Sequence, residues 1–171
     1  MRTKKTLLVN ALGVVLLLTG TASAADIRGT ISSTLVITED SQLVGDVTCT
    51  VTGASCIMFG ASGISLKLNG FTLTGRADPI RACGGAETAD EDGLLVQGMV
   101  GIVVQGPGIV QRFRGMGINI RRGSRRVLVT QITASTNCMS GIFVSATTDS
   151  EIEGNISVRN ASTTSFPCGG I

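Results

Sequence analysis

The chain has 171 residues, of which 43% are apolar and 15% are charged, and it contains no His, Trp or Tyr. Without His there is no Ser-His or Cys-His nucleophile pair, no HExxH zinc site and no imidazole acid or base. Without Trp and Tyr, only five Phe residues remain as aromatic platforms for sugars or bases. The length suits one domain with a sizeable core.

The first 24 residues predict an export signal. A basic start is followed by an apolar stretch, residues 6–18, and by Ala-Ser-Ala ending at Ala24. About 13 apolar residues are too few to cross a hydrocarbon layer of roughly 30 Å. We therefore predict cleavage between Ala24 and Ala25, a secreted or periplasmic protein, and no transmembrane segment in the mature chain. An uncleaved anchor is the alternative.

The predicted mature chain, residues 25–171, carries 11 basic and 12 acidic side chains. This near-neutral balance argues against a nucleic-acid binder, which would need a clearly basic surface. Glycine is abundant without a collagen-like period and is mixed with Ile, Val and Thr. Such a composition is typical of many short strands joined by tight turns.

Short alternating segments follow one another along this chain. The earlier segments fit the repeat less regularly. The later ones begin with glycine and an apolar residue at intervals of 24 positions, at Gly93, Gly117 and Gly141. Alternation of apolar and polar residues predicts strands with one buried and one solvated face. The earlier segments, in chain order, are residues 34–38, 46–51, 56–59, 64–68 and 71–73.

The same interval predicts which residues stack in the core. One set with a common phase is Val104, Leu128 and Ile152, and a second is Val110, Ala134 and Val158. We therefore expect Leu128 to lie between Val104 and Ile152 in one buried column.

About three short strands per period, with no helical pattern, favour a parallel β-helix. A leucine-rich repeat would need a spaced Leu and Asn ladder, and an antiparallel sandwich would not explain the fixed interval. An insertion, residues 76–92, lengthens the second coil, and a sixth coil begins as the sequence ends, so we expect a fragment that is incomplete at its C-terminus. The predicted coils lie near 34–55, 56–92, 93–116, 117–140 and 141–169.

The segment Gly-Ile-Ser-Leu-Lys-Leu-Asn-Gly-Phe-Thr-Leu-Thr-Gly, residues 63–75, resembles an early coil of the pectate-lyase-like superfamily of secreted right-handed parallel β-helix proteins. The later Gly-Ile-x-Val blocks with trailing Asn155 and Asn160 resemble its repeats. The resemblance implies a right-handed β-helix. It does not imply one activity, because the superfamily holds lyases, hydrolases, epimerases, adhesins and proteins without catalysis.

The segment carries no recognisable active site. The hydrolase and epimerase motifs of the superfamily contain His, which this chain lacks. A lyase could use an Arg as base beside Ca²⁺, for which Arg121 and Arg125 are the candidates. Three functions stay open: a non-catalytic extracellular or cell-surface module that contacts anionic polysaccharide or serves in adhesion, a polysaccharide lyase with catalytic coils beyond residue 171, and a purely structural stalk.

Five cysteines in the mature chain of an exported protein predict disulfides. Cys49 and Cys56 flank a short link and predict a local bridge. Cys138 and Cys168 each precede the glycine that opens a coil, so stacking brings them within bonding range and leaves Cys83 unpaired. Buried free thiols are the alternative.

A run of arginines predicts a basic surface. Guanidinium groups suit bidentate contacts with carboxylate or sulfate, so an anionic polysaccharide is the expected ligand. A solvated turn that guards a sheet edge is the alternative. The six residues are Arg112, Arg114, Arg121, Arg122, Arg125 and Arg126.

The only dense acidic cluster is Asp90-Glu91-Asp92, with Glu87 nearby. Carboxylates on a loop are ligands for Ca²⁺, but the spacing of a calcium loop is missing. We therefore interpret the cluster as a solvated loop and expect no cofactor, with a Ca²⁺ ion at this loop as the alternative.

Overall fold

The computed structural model describes residues 23–77, 83 and 90–160. Over these residues the fold is all-β, with thirteen strands and no helix. The strands are β1 (Ala25–Ile31), β2 (Leu35–Ile37), β3 (Ser41–Cys49), β4 (Ile57–Phe59), β5 (Ser65–Lys67), β6 (Thr72–Thr74), β7 (Leu94–Gln97), β8 (Val103–Gln111), β9 (Ile118–Arg121), β10 (Leu128–Ser135), β11 (Ile142–Val144), β12 (Glu151–Glu153) and β13 (Ile156–Val158).

The strands form two parallel sheets. The larger sheet has the order β1-β3-β5-β8-β10-β12, with β6 paired to β3 and β8 and β13 paired to β10. The smaller sheet has the order β11-β9-β7-β4-β2. From β2 onward the chain visits the two sheets in turn, and side chains of both sheets join one hydrophobic core.

Each sheet contributes aligned apolar side chains to this core. In the smaller sheet Ile57, Leu94, Ile118 and Ile142 are successive partners, and none of them is exposed. These partners confirm the 24-residue interval between β7, β9 and β11. Stacked strands of this kind bury a face that no single strand could bury alone.

The recurring glycines open β7, β9 and β11 because their backbones approach closely. A Cβ atom at Gly93 would lie 2.5 Å from the carbonyl oxygen of Gly117. A Cβ at Gly117 would lie 2.5 Å from the carbonyl oxygen of Gly141. No real Cβ tolerates such a distance, so each position requires glycine. The periodic glycine is thus a packing requirement of the stack.

The predicted position of Leu128 in the core is wrong by one residue. Val129 pairs with Val104 and with Ile152, while Leu128 is half-buried on the other face of the strand. The turn before β10 is one residue longer than the turn before β8, and a register shift at Gln131 compensates for it. The interval between β8 and β10 is therefore 25 residues before Gln131 and 24 after it, and it is 24 between β7, β9 and β11 of the smaller sheet.

An interval of 23 residues between β10 and β13, one shorter than expected, changes the second predicted column. Val110 pairs with Ala134, as predicted, but Ala134 pairs with Ser157 and not with Val158. Val158 lies on the other face of β13 and is 42% exposed.

Asparagine side chains satisfy backbone groups where the chain turns out of the larger sheet. Asn137 Oδ1 accepts a hydrogen bond from the Phe113 amide at 3.0 Å, and its Nδ2 donates to the Val110 carbonyl at 3.3 Å. Asn160 repeats this one layer on, because its Oδ1 accepts from the Asn137 amide at 2.9 Å. The buried turns therefore have partners for their backbone groups.

Candidate functional site

The six predicted arginines do not share one surface. Arg114 is buried, with Nε 3.9 Å from Glu91 Oε2. Arg112 is exposed, but its Nε donates to the Ala77 carbonyl at 3.0 Å. Both side chains therefore hold the base of the insertion against the turn after β8.

Arg121 ends β9 and is half-buried. Its Nε donates to Gln97 Oε1 at 3.1 Å, and its Nη2 lies 3.4 Å from Asp90 Oδ1. The three remaining arginines are exposed in the turn between β9 and β10, which we call the arginine turn (residues 122–126). They are Arg122, Arg125 and Arg126.

The arginine turn has a fixed backbone. The buried Ser124 hydroxyl donates to the Arg121 carbonyl at 2.8 Å. Arg122 and Arg126 adopt left-handed conformations, with φ of 54° and 52°. Such angles are uncommon for residues other than Gly, Asn and Asp, because the Cβ crowds the backbone. The turn therefore holds two long cationic side chains at positions that favour a small residue.

The neighbouring turns use small residues at these positions. Gly98 and Gly101 in the preceding turn have φ of 69° and 70°, and Ala146 in the following turn has φ of 50°. Arg125 lies between Val100 and Thr148, its bridge partners on the two sides. The three guanidinium groups therefore stand between short side chains and are open to solvent.

No carboxylate in the described part of the chain lies within ion-pair distance of the three exposed arginines. Because Arg125 pairs with Thr148, Arg126 aligns with Asp149 of the following turn. The three arginines thus form a local positive patch on a chain that is nearly neutral overall.

The acidic segment is a buried anchor, so the interpretation of a solvated loop is wrong for Glu91 and Asp92. Glu91 is 4% exposed, and its Oε1 accepts from the Gly53 amide at 2.9 Å and from Arg76 Nη2 at 2.8 Å. Asp92 is 2% exposed. Asp90 is exposed, and Glu87 lies outside the described residues. The segment turns inward because it leads directly into the buried strand β7.

Asp92 links two neighbouring layers. Its Oδ1 accepts from the Met116 amide and its Oδ2 accepts from Asn119 Nδ2, each at 2.8 Å. Burial raises the pKa of Asp92 above the ordinary 3.8, although these hydrogen bonds and the charge of Arg121 oppose the change. Asn119 Oδ1 is buried without a hydrogen-bond partner. The contact between Asp92 and Asn119 was not predicted from the sequence, and its one signal there is the polar Asn119 within the apolar strand β9.

The disulfide prediction is correct at one pair and wrong at the other. Cys49 is bonded to Cys56, as the spacing predicts. Cys138 is bonded to Cys83, so it does not pair with Cys168, which lies outside the described residues. The Cys138 amide donates to the Phe113 carbonyl at 2.8 Å, and the Ala77 amide donates to the neighbouring Arg112 carbonyl at 2.7 Å. Ala77 and the disulfide partner of Cys83 therefore contact the same turn.

Two cavities lie away from the arginine turn. One, of about 10 Å³, is lined by Arg76, Glu91 and Arg114 and is large enough for one water molecule. The other, about 350 Å³, is an open cleft between β1 and β2 lined mainly by apolar residues. Neither cavity contains a residue of the arginine turn.

Within residues 23–77, 83 and 90–160, no three His, Cys, Asp or Glu side chains are grouped to hold a metal ion. The same residues contain no helix long and apolar enough to span a membrane. Comparisons with protein families, curated proteins and solved structures found no match to this chain.

Proposed function

We propose that this chain is an exported right-handed parallel β-helix whose arginine turn binds an anionic polysaccharide without catalysis. The fold proposal is supported by parallel strand pairs in two sheets that the chain visits in turn around one core. Crossovers between parallel strands of one sheet are right-handed in about 98% of cases. The resemblance of residues 63–75 to an early coil agrees with this hand.

Export is supported by two disulfides, which persist in oxidising compartments. In addition, β1 begins at Ala25, the residue that would become the mature N-terminus. N-terminal sequencing of protein recovered outside the cytoplasm tests this part. We expect a start at Ala25, and an intact Met1 start on the recovered protein would contradict it.

The observation that carries the binding proposal is the exposure of Arg122, Arg125 and Arg126 without a carboxylate partner in the described chain. Arginine forms bidentate hydrogen bonds with carboxylate and sulfate groups. Since the chain has no Trp or Tyr for stacking on sugar rings, the contact is expected to be mainly ionic.

The positive φ angles of Arg122 and Arg126 allow substitutions that remove the charges without disturbing the turn. Arg122→Gly and Arg126→Gly copy Gly98 and Gly101 of the preceding turn, and Arg125→Thr copies Thr148 of the following one. Glycine accepts positive φ without strain, so this triple variant should fold with little change in stability.

The matched control removes three cations elsewhere: Arg28→Ser, Lys67→Ser and Arg159→Asn. All three side chains are exposed, and Asn suits the φ of 56° at Arg159. Binding of the folded proteins to polygalacturonate, alginate and heparin is measured by calorimetry at low and high salt.

Exposed ion pairs contribute about 0.2–1 kcal/mol each, so loss of three should weaken binding about tenfold. High salt should weaken wild-type binding strongly, because screening acts over about 8 Å at physiological ionic strength. The control should bind like the wild type. Equal binding by the triple variant, or no binding by the wild type, would overturn the proposal. Unsaturated product absorbing in the ultraviolet would favour the lyase alternative.

A further inference from the structure

The charges on the two sides of the arginine turn differ. Asp90 lies beside Arg121, and its side chain is 60% exposed. In the following layer, Asp149 stands opposite Arg126 and the exposed Glu151 pairs with Leu128 at the start of β10. Adjacent parallel strands lie about 4.8 Å apart, which is well within the screening length of about 8 Å. The charge of Asp90 is compensated by Arg121, whereas an anion that extends from the arginine turn into the following layer meets the negative charges of Asp149 and Glu151.

The turns that precede the arginine turn in the stack offer no attraction for an anion. The turn between β7 and β8, residues 98–102, is uncharged, and so is the turn between β4 and β5, residues 60–64. The next charges on that side of the molecule are Glu39 and Asp40, which are acidic and exposed. Among the described residues of this row of turns, the cationic side chains are therefore Arg122, Arg125 and Arg126.

We infer that the arginine turn accepts a short anionic segment, with about three charged groups, and that its flanking acids exclude a longer polyanion from extended contact. This inference rests on the proposed function. It makes the ligand a chain end or a short oligosaccharide and predicts that affinity stops rising once three anionic sugars are present. A binding groove along the stack would instead gain affinity with every added sugar.

Oligogalacturonides of two to six sugars, each sugar carrying one carboxylate, are the probes. For the wild type, we expect the Kd to fall from the dimer to the trimer and then to stay within about twofold up to the hexamer. The variant Asp149→Asn/Glu151→Gln removes acids on the following side, and its hexamer should bind several-fold more tightly than its trimer. Asn suits the φ of 55° at Asp149, so the fold should be preserved.

The control for removal of two acids is Asp26→Asn/Asp46→Asn, at exposed positions in β1 and β3 that lie outside the row of turns. It should keep the wild-type plateau. A wild-type affinity that rises more than about fivefold from trimer to hexamer would overturn the inference and leave the proposed function standing. An unchanged plateau in the Asp149→Asn/Glu151→Gln variant would also overturn it. Absence of binding by every oligomer and by the polymer would overturn the proposed function itself.

Discussion

The register of the core gives a direct prediction about two adjacent residues, Val129 and Leu128. Val129 is fully buried between Val104 and Ile152, whereas Leu128 is half-buried on the outer face. Val129→Ala removes two buried methyl groups at about 0.8 kcal/mol each and leaves a cavity, so it should cost about 2–3 kcal/mol. Leu128→Ala should cost less than about 1 kcal/mol, although it removes more atoms, because much of that surface already faces water.

The assay is urea unfolding of the two variants beside the wild type, with comparable slopes as the check on two-state behaviour. The order of the two costs is more informative than either value. A larger cost for Leu128→Ala than for Val129→Ala would refute the register described for β10. It would restore the uniform 24-residue interval expected from the sequence.

Other predictions concern the buried Asp92, the disulfide between Cys83 and Cys138, and the glycine at position 117. Because the pKa of Asp92 is raised in the folded state, its favourable contribution is complete below the unfolded value of 3.8 and is lost as the pH rises through the folded value. Asp92→Asn should therefore gain stability relative to the wild type as the pH rises, which unfolding at several pH values checks; a gain that shrinks with rising pH would contradict it. Replacing Cys83 and Cys138 by Ser should lower the free energy of unfolding by about 2–5 kcal/mol, and peptide mapping without reductant should recover these two residues in one linked fragment. Gly117→Ala should cost more than about 1 kcal/mol, because its Cβ would meet the Gly141 carbonyl; an unchanged melting temperature would contradict this packing.

Much of the architecture follows from local patterns. Alternating strands, turn glycines and the fixed interval predict the parallel stacking seen at Leu94, Ile118 and Ile142. The 24-residue interval does not predict the partner of Leu128, because the turn before β10 has one extra residue. The register shift at Gln131 removes this difference, so the glycines on either side of β10 are still 24 residues apart. A period counted from glycines reports the distance between glycines and does not show where a residue is gained and lost between them.

The site was harder to predict because it depends on what the insertion touches. The spacing of the arginines predicts one group, but Arg114 is buried beside Glu91, and the Nε of Arg112 donates a hydrogen bond to the Ala77 carbonyl. The bond between Cys83 and Cys138 could not be predicted, because no spacing in the sequence relates these two residues, which are 55 positions apart. Contacts of this kind join residues that are far apart in the chain, so no local pattern predicts them.

The most direct test of the central claim is to map the bound ligand on the protein by NMR. Titration of isotopically labelled mature protein with trigalacturonate should shift the backbone amides of residues 121–126 and the side-chain Nε–H signals of Arg122, Arg125 and Arg126 most strongly. Amides of the outer face of the larger sheet, such as Thr48 and Gln105, should move little. Strongest shifts on that face or in the cleft between β1 and β2, with the arginine turn unaffected, would contradict the account.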